Sequence, residues 1–403
     1  MEWRRSMTMN VNVFIVALAL VLAAGRVFAT PVPEDLSWAE RVALSDMQRN
    51  PEPWQIDFRE TPKWNYTHGL MMTAYQRLYE STGDQRYVDY LRKYADTLID
   101  ADGNIATYKL ENYNIDHLTP GRMLLFLQQF SPKPRYQKAL DTLVSQLEGQ
   151  PRTREGGFWH KQRYPHQMWL DGLYMGAPFY AQYLSSTDAD AAAFDDVQSQ
   201  FDLVMQHHID PDTGLPYHAW DESRQQQWAN PQTGVSPNFW SRSIGWYVMA
   251  LVDAIEYFPE DHNGRQVLSG YLQQVLDAAL KFRDEKTKLW YQVTDQGRRE
   301  GNYLEATGSV MFVYAMAKGA NRGYLPPRYR VLAEESYNGL MGNLIRIDGD
   351  DREIHLTSNC AVAGLGGTPY RDGSYEYYIS EPVRDNDPKG IGPFILASLE
   401  LNK

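Results

Sequence analysis

The chain has 403 residues, a formal net charge of −12, 43% hydrophobic and 13% aromatic side chains, and one cysteine, Cys360. That is enough apolar material for a large core, and the acidic balance argues against nucleic acid or an anionic membrane surface as a partner. A lone cysteine excludes an internal disulfide and a cysteine-based metal cluster.

Residues 1–29 read as an export signal. Arg4 and Arg5 form a basic start, VNVFIVALALVLAAG is an apolar run short for a membrane span, and Val27 and Ala29 are the small residues that a signal peptidase needs. The segment holds three arginines and one glutamate, so its removal takes the formal charge from −12 to −14. The expected product is residues 30–403, a single domain, periplasmic or secreted. Export without disulfides suits a bacterial protein.

From there on helical periodicity dominates and alternating strand patterns are few. Amphipathic stretches predict twelve helices, at about 36–49, 66–82, 84–101, 117–130, 133–150, 168–186, 190–208, 238–258, 263–283, 303–320, 329–346 and 389–400. STGD after residue 80, SPKP from 131 and FPEDHNG from 258 supply stop and start signals. Links before the even helices are long and links after them are mostly short. Short links make antiparallel hairpins, so the long loops gather at one end. The even helices also start alike: WNYTHG, NIDHLTPG, MWLDGLYMG, NFWSRSIGW, NYLEATGS and NDPKGIGPF each mix polar groups with a glycine. The first three begin roughly 51 residues apart, a degenerate internal repeat. Six such hairpins predict an all-α, closed (α/α)6 barrel with the even helices inside; an open helical solenoid is the alternative.

The candidate site residues fall at that loop-rich end. Asp171, in YPHQMWLDGLYMG, is a carboxylate among large apolar side chains, and such burial is costly unless the acid is paired or used. Desolvation there would raise its pKa toward that of a proton donor; capping its own helix is the structural alternative. Gly172 and Gly176 remove bulk where a ligand or a neighbouring helix comes close. Asp116, in NYNIDHLTPGR, occupies the matching place one repeat earlier, from which its charge would repel that of Asp171. Arg242 and Trp246 lie one helical turn apart, a grip for a carboxylated sugar or a structural cation–π pair. His218 and Trp220 share a long loop on the same rim, Trp64 and Tyr66 head the first inner helix as a possible ring platform, and Lys161 is a cation close to Asp171 in sequence. No metalloprotease, calcium-loop, phosphate-loop or nucleophile-elbow motif is present, and neither metal nor cofactor is expected.

Five long segments carry a family resemblance: NIDHLTPGR, HKQRYPHQMWLDGLYMG, WSRSIGWYVMALVDAIEYFP, YLEATGSVMFVYAMAKG and the tail CAVAGLGGTPYRDGSYEYYISEPVRDNDPKGIGPF. In their order and spacing the chain resembles glycoside hydrolase family 105, the unsaturated rhamnogalacturonyl hydrolases, over nearly all of residues 30–403. One departure is visible: Ser243 and Ile244 stand where the family usually has Gly-Asn. The resemblance implies an (α/α)6 barrel and release of a 4,5-unsaturated uronic acid from the non-reducing end of lyase-generated oligosaccharides. It implies Asp171 as the general acid and base that hydrates the C4=C5 vinyl ether. Asp116 would bind sugar hydroxyls and tune Asp171, while Tyr66, Lys161, His218, Arg242 and Trp246 would hold the unsaturated ring. The expected partner is an oligosaccharide with an unsaturated uronic acid, an unsaturated rhamnogalacturonan disaccharide first, bound by a monomer. Alternatives are an unsaturated β-glucuronyl hydrolase for ulvan- or glycosaminoglycan-type oligosaccharides, an ordinary inverting glycosidase, and a non-catalytic carbohydrate-binding protein.

Overall fold

A computed structural model describes residues 31–403; the signal segment expected at 1–29 lies outside the described residues. The chain runs through α1 (Trp38–Arg49), α2 (Tyr66–Thr82), α3 (Gln85–Leu98), α4 (Gly121–Phe130), α5 (Pro134–Gly149) and α6 (Leu170–Ser186). It continues through α7 (Phe194–His207), α8 (Ser241–Ile255), α9 (Gly264–Leu280), α10 (Ala306–Asn321) and α11 (Arg328–Asn343). A short α12 (Tyr375–Ser380), which periodicity did not reveal, precedes α13 (Pro388–Leu401). Six strands of two or three residues lie in the loops: β1 (Gln167–Trp169), β2 (Ala219–Asp221), β3 (Ile345–Ile347), β4 (Ile354–Leu356), β5 (Asn359–Cys360) and β6 (Val383–Arg384). They pair only as antiparallel ladders of two.

Helices α2, α4, α6, α8, α10 and α13 pack each on the next, and α13 returns to α2. The ring is therefore closed, an (α/α)6 barrel and not a solenoid. Burial follows from this geometry. Every residue of α8 is buried, because an inner helix is covered by both the ring and the outer layer. Outer α3 buries one stripe, including Tyr87, Leu91, Tyr94 and Leu98. Its two-residue link to α2 reads directly from STGD: Gly83 ends α2 at φ 72°, and the Asp84 side chain caps α3. Gly245 and Gly308, near the starts of α8 and α10, let these two inner helices draw tight. At Gly308 of α10 a Cβ would stand 2.9 Å from the Ser241 carbonyl carbon and 3.0 Å from the Arg242 amide nitrogen of α8.

Away from the loop end, Asp253 of α8 is buried among cations. It takes hydrogen bonds from Arg122 of α4 (2.8 Å), Lys318 of α10 (2.7 Å) and Tyr314 (2.6 Å). Burial alone would raise its carboxyl; Lys318 and Arg122 outweigh that and hold it well below the usual range. This charge cluster ties three inner helices together, and removing one partner would leave an uncompensated buried charge.

Several boundaries shift by three or four residues, and one of them bears on the site. The helix predicted from about residue 117 begins at Gly121, and Ile115–His117 forms a separate 3-10 turn. Pro120 has no N–H to donate to the carbonyl of residue 116, so a helix running from 117 would lack its first backbone bond. Asp116 thus stands on a turn before α4, not in its first helical turn. Among the described residues, no helix is long and apolar enough to cross a membrane. Cys360 is buried and unpaired.

Candidate active site

The β1–β2 ladder builds the centre of the site. Trp169 pairs with Ala219, and the Leu170 amide donates to the His218 carbonyl at 3.0 Å. Because β1 runs straight into α6, this register sets His218 opposite the first turn of that helix. His218 Nε2 lies 3.0 Å from Asp171 Oδ2, and Nδ1 lies 2.7 Å from the Tyr378 hydroxyl of α12. His218 is fully buried, with its ring 4.9 Å from Trp240 and 5.4 Å from Trp169 between centroids. Asp171 keeps 15% of its side chain exposed, so a ligand can reach the carboxylate while the relay behind it stays dry. The cap position of α6 is Trp169, whose side chain makes no cap bond, and the Asp171 carboxylate faces His218 instead.

The second carboxylate is held differently. Asp116 Oδ2 accepts from Lys161 Nζ at 2.5 Å, and Oδ1 lies 3.5 Å from His160 Nε2. Burial would raise its carboxyl, but Lys161 and then His160 bring it below the ordinary value. The expectation that Asp116 repels Asp171 is therefore corrected. Its charge is neutralised locally by Lys161, and His160 feels both carboxylates. Burial pushes His160 itself down to about 4, leaving it an uncharged imidazole at neutral pH. That ring stacks on Trp169 at 4.7 Å, and Trp169 on Tyr164 at 5.0 Å.

Gly172 and Gly176 find their reason here. A Cβ on Gly172 would stand 2.9 Å from His160 Nδ1, and one on Gly176 would stand 2.8 Å from Ile115 Cδ1. The space they leave is filled by the loop that carries His160 and by Ile115 of the turn that carries Asp116, not by an inner helix.

Arg242 is fully buried at the start of α8. Its guanidinium lies 4.9 Å from the Trp240 ring centroid and donates to the main-chain oxygen of Cys360, whereas Trp246 sits against Tyr174 (4.8 Å) and the half-buried Tyr66 (6.1 Å). The ring that meets the arginine is thus Trp240, two residues before it, not Trp246. Burial, and after it Asp57, Asp116 and Asp387, raise the Tyr66 hydroxyl well above its usual range against the opposing pull of Arg242, so that phenol stands within electrostatic reach of both Asp116 and Arg242. Two expectations fail. Trp64 is fully buried, stacks on Tyr94 and donates to the His117 carbonyl, so it offers no platform. Trp220 faces away from the site and stacks on His207 at 3.9 Å. His160, Trp169, Trp240 and Tyr378 were not singled out from the sequence. His160 was readable as the neighbour of Lys161; Tyr378 carried no local signal, since it arrives on α12, 160 residues beyond His218.

The profile of Glycosyl Hydrolase Family 88 matches residues 38–403. A solved family 105 glycoside hydrolase from C. acetobutylicum ATCC 824 is 46% identical, with a TM-score of 0.87 over 91% of this chain and 99% of that one. The chain belongs to glycoside hydrolase family 105. This family 105 enzyme is also 27% identical over 328 residues to the unsaturated rhamnogalacturonyl hydrolase YesR of Bacillus subtilis (strain 168), covering 79% of this chain and 86% of that protein. The unsaturated glucuronyl hydrolase of Bacillus sp. GL1 shares the fold, at 12% identity and a TM-score of 0.67 over 91% of this chain and 95% of that one. The family 105 chain is therefore a glycoside hydrolase of the unsaturated rhamnogalacturonyl hydrolase type.

Proposed function

We propose that the enzyme releases a 4,5-unsaturated uronic acid from the non-reducing end of lyase-generated oligosaccharides by hydrating the C4=C5 vinyl ether, with Asp171 as acid and base. The observation that carries this reading is the unequal state of the two carboxylates. Asp116 is locked by Lys161, while Asp171 is partly open and backed by His218 and Tyr378. A conventional glycosidase needs two working carboxyl groups, one on each side of the glycosidic bond; vinyl-ether hydration needs one that donates and then accepts.

In the proposed sequence Asp171 protonates C4, and positive charge develops at C5 and the ring oxygen. The resulting carboxylate takes a proton from water as the water oxygen bonds to C5. The C5 hemiketal opens, breaking the bond from C5 to the ring oxygen and leaving a C5 ketone. That oxygen becomes a hydroxyl on C1, so C1 is a hemiacetal and expels the remaining sugar with its glycosidic oxygen. A His218 ring that accepts from Tyr378 on Nδ1 presents Nε2–H to Asp171 Oδ2, which steadies the carboxylate and leaves Oδ1 for the proton traffic. Asp116 binds sugar hydroxyls with Lys161, and the half-buried Tyr66 meets the unsaturated ring, backed by Arg242 and Trp246, which are themselves buried behind it.

The substrate we favour is an unsaturated rhamnogalacturonan disaccharide, a reading supported by the likeness to YesR. We take the enzyme to be exported, a reading supported by the signal pattern at 1–29, and to act as a monomer; the N-terminal sequence of the secreted protein tests the first and its mass in solution the second. Activity is tested by following the ultraviolet absorbance of the conjugated double bond. Run in deuterium oxide and heavy-oxygen water, with early trapping of the ketone by reduction, the reaction should leave a deuteron at C4 and the label at C5. Label on the anomeric carbon alone, with no deuteron at C4, would replace hydration by ordinary glycosidic cleavage.

A further inference from the structure

Beside Asp116 the loops preceding α2, α4 and α6 enclose a cavity of about 440 Å³, whose walls include Lys63, Glu111, Asn114, His117, Lys161 and Arg163. Three of these side chains are cations and one is an acid, on a chain of net charge −12. Lys161 is already paired with Asp116. Among the described residues neither Lys63 nor Arg163 has a carboxylate partner, and the Arg163 guanidinium lies over the Tyr164 ring at 5.0 Å. Crowding is felt at Lys63: partial burial, and then the nearby Arg59 and Lys161, hold its ammonium below the usual value.

His117 closes one side of the cavity with a neutral ring. The Asn114 amide is oriented by the Asp116 N–H, which donates to Asn114 Oδ1 at 3.2 Å, so Asn114 Nδ2 is the atom that faces His117 Nε2 at 3.2 Å. An Nε2 that accepts from the amide leaves the ring proton on Nδ1. His117 Nδ1 is buried without a partner, on a residue 6% exposed. Burial keeps this imidazole uncharged at neutral pH, pushing it down to about 4. The cavity thus combines unpaired positive charge with a wall formed in part by the uncharged His117 ring. It is joined to the reacting centre through Lys161, Asp116 and His160.

We propose that this cavity is a subsite for an oxyanion, a carboxylate or a sulfate ester, on the part of the oligosaccharide beyond the unsaturated ring. The proposal rests on the hydrolysis of unsaturated uronyl oligosaccharides and deepens it: the preferred substrate carries a second anionic group, and a disaccharide with a neutral leaving sugar is its minimal form. A charge-assisted contact from Lys63 or Arg163 would supply the preference, and each is separate from the groups assigned to the unsaturated ring.

The test compares kcat/KM for three substrates: an unsaturated disaccharide with a neutral leaving sugar, the same disaccharide bearing a sulfate ester, and an unsaturated tetrasaccharide with a second uronate. The wild type should prefer at least one anionic substrate by about tenfold or more. Lys63→Ala combined with Arg163→Ala should bring that ratio close to one and leave the neutral disaccharide unchanged within about twofold, while Lys63→Arg should retain the preference. Which arm responds identifies sulfate or carboxylate. Equal rates on all three substrates, or a double variant that loses the neutral and anionic substrates alike, would overturn the subsite. Titration calorimetry with saturated analogues reads the same preference without turnover. Absent turnover with that preference retained would count against the hydrolase reading alone, and absent preference would sink the subsite.

Discussion

Asp171 gains its setting from contacts no wider than one side chain. Its Oδ2 meets His218, which in turn meets Tyr378, and both partners are buried. Asp171→Asn keeps the shape and removes the exchangeable proton, so turnover should fall by on the order of a hundredfold or more while ligand binding persists. Near-normal kinetics in a clean preparation of that variant would remove Asp171 from its role. Tyr378→Phe leaves the ring and withdraws one hydrogen bond from His218 Nδ1. A loss of about one hydrogen bond, roughly 1 kcal/mol, predicts a kcat about fivefold lower with KM little changed. A Tyr378→Phe enzyme altered only in thermal stability would make the hydroxyl purely structural.

Short strands and glycines do the positioning at the level of elements. Three residues of β1 paired with three of β2 are enough to fix His218 against the start of α6. Gly308→Ala on α10 would press a methyl group against the backbone of Ser241 and Arg242, which cannot rotate away as a side chain could. Overpacking of this kind costs about 1–3 kcal/mol. The urea midpoint should fall accordingly, and KM should rise as Arg242 shifts with its helix. An unchanged midpoint would show that α8 and α10 have slack at this crossing.

The whole molecule is expected to be acid-sensitive well above the carboxylate range. Burial pushes His68, His117 and His160 down to about 4 and His208 to about 3. An unfolded chain protonates these rings near pH 6.5, whereas the folded chain does not, so stability must fall as the pH drops from 6.5 towards 4. Each histidine contributes a slope of up to about 1.4 kcal/mol per pH unit. Asp116 and Asp253, both held low, give stability that is present above their unfolded value of 3.8 and lost only in stronger acid. Asp46, raised by burial, works in the opposite sense. Urea unfolding at pH 7 and pH 5 should show the lower midpoint at pH 5; equal midpoints would mean that these rings titrate normally.

The twelve long helices, their alternation of long and short links, and the gathering of functional groups at one end were legible because each rests on local pattern. Periodicity records which face is buried, STGD records a stop and a cap, and glycines such as Gly308 record a close approach at an inner helix start. Asp171, Asp116, Lys161 and His218 could be named one by one from motifs, since each sits next to residues whose spacing marks a helix start or a rim loop. Which of them touch was decided by the tertiary structure alone. Asp116 and Lys161 meet across a turn shaped by Pro120, Arg242 finds Trp240 in place of Trp246, Trp64 turns inward, and Tyr378 reaches His218 from 160 residues away. The physical reason is one of range. Backbone hydrogen bonding and amphipathic burial act over a few residues and leave their trace in the sequence. Pairing between side chains depends on how six hairpins close into a ring, and that closure is fixed only when α13 packs against α2.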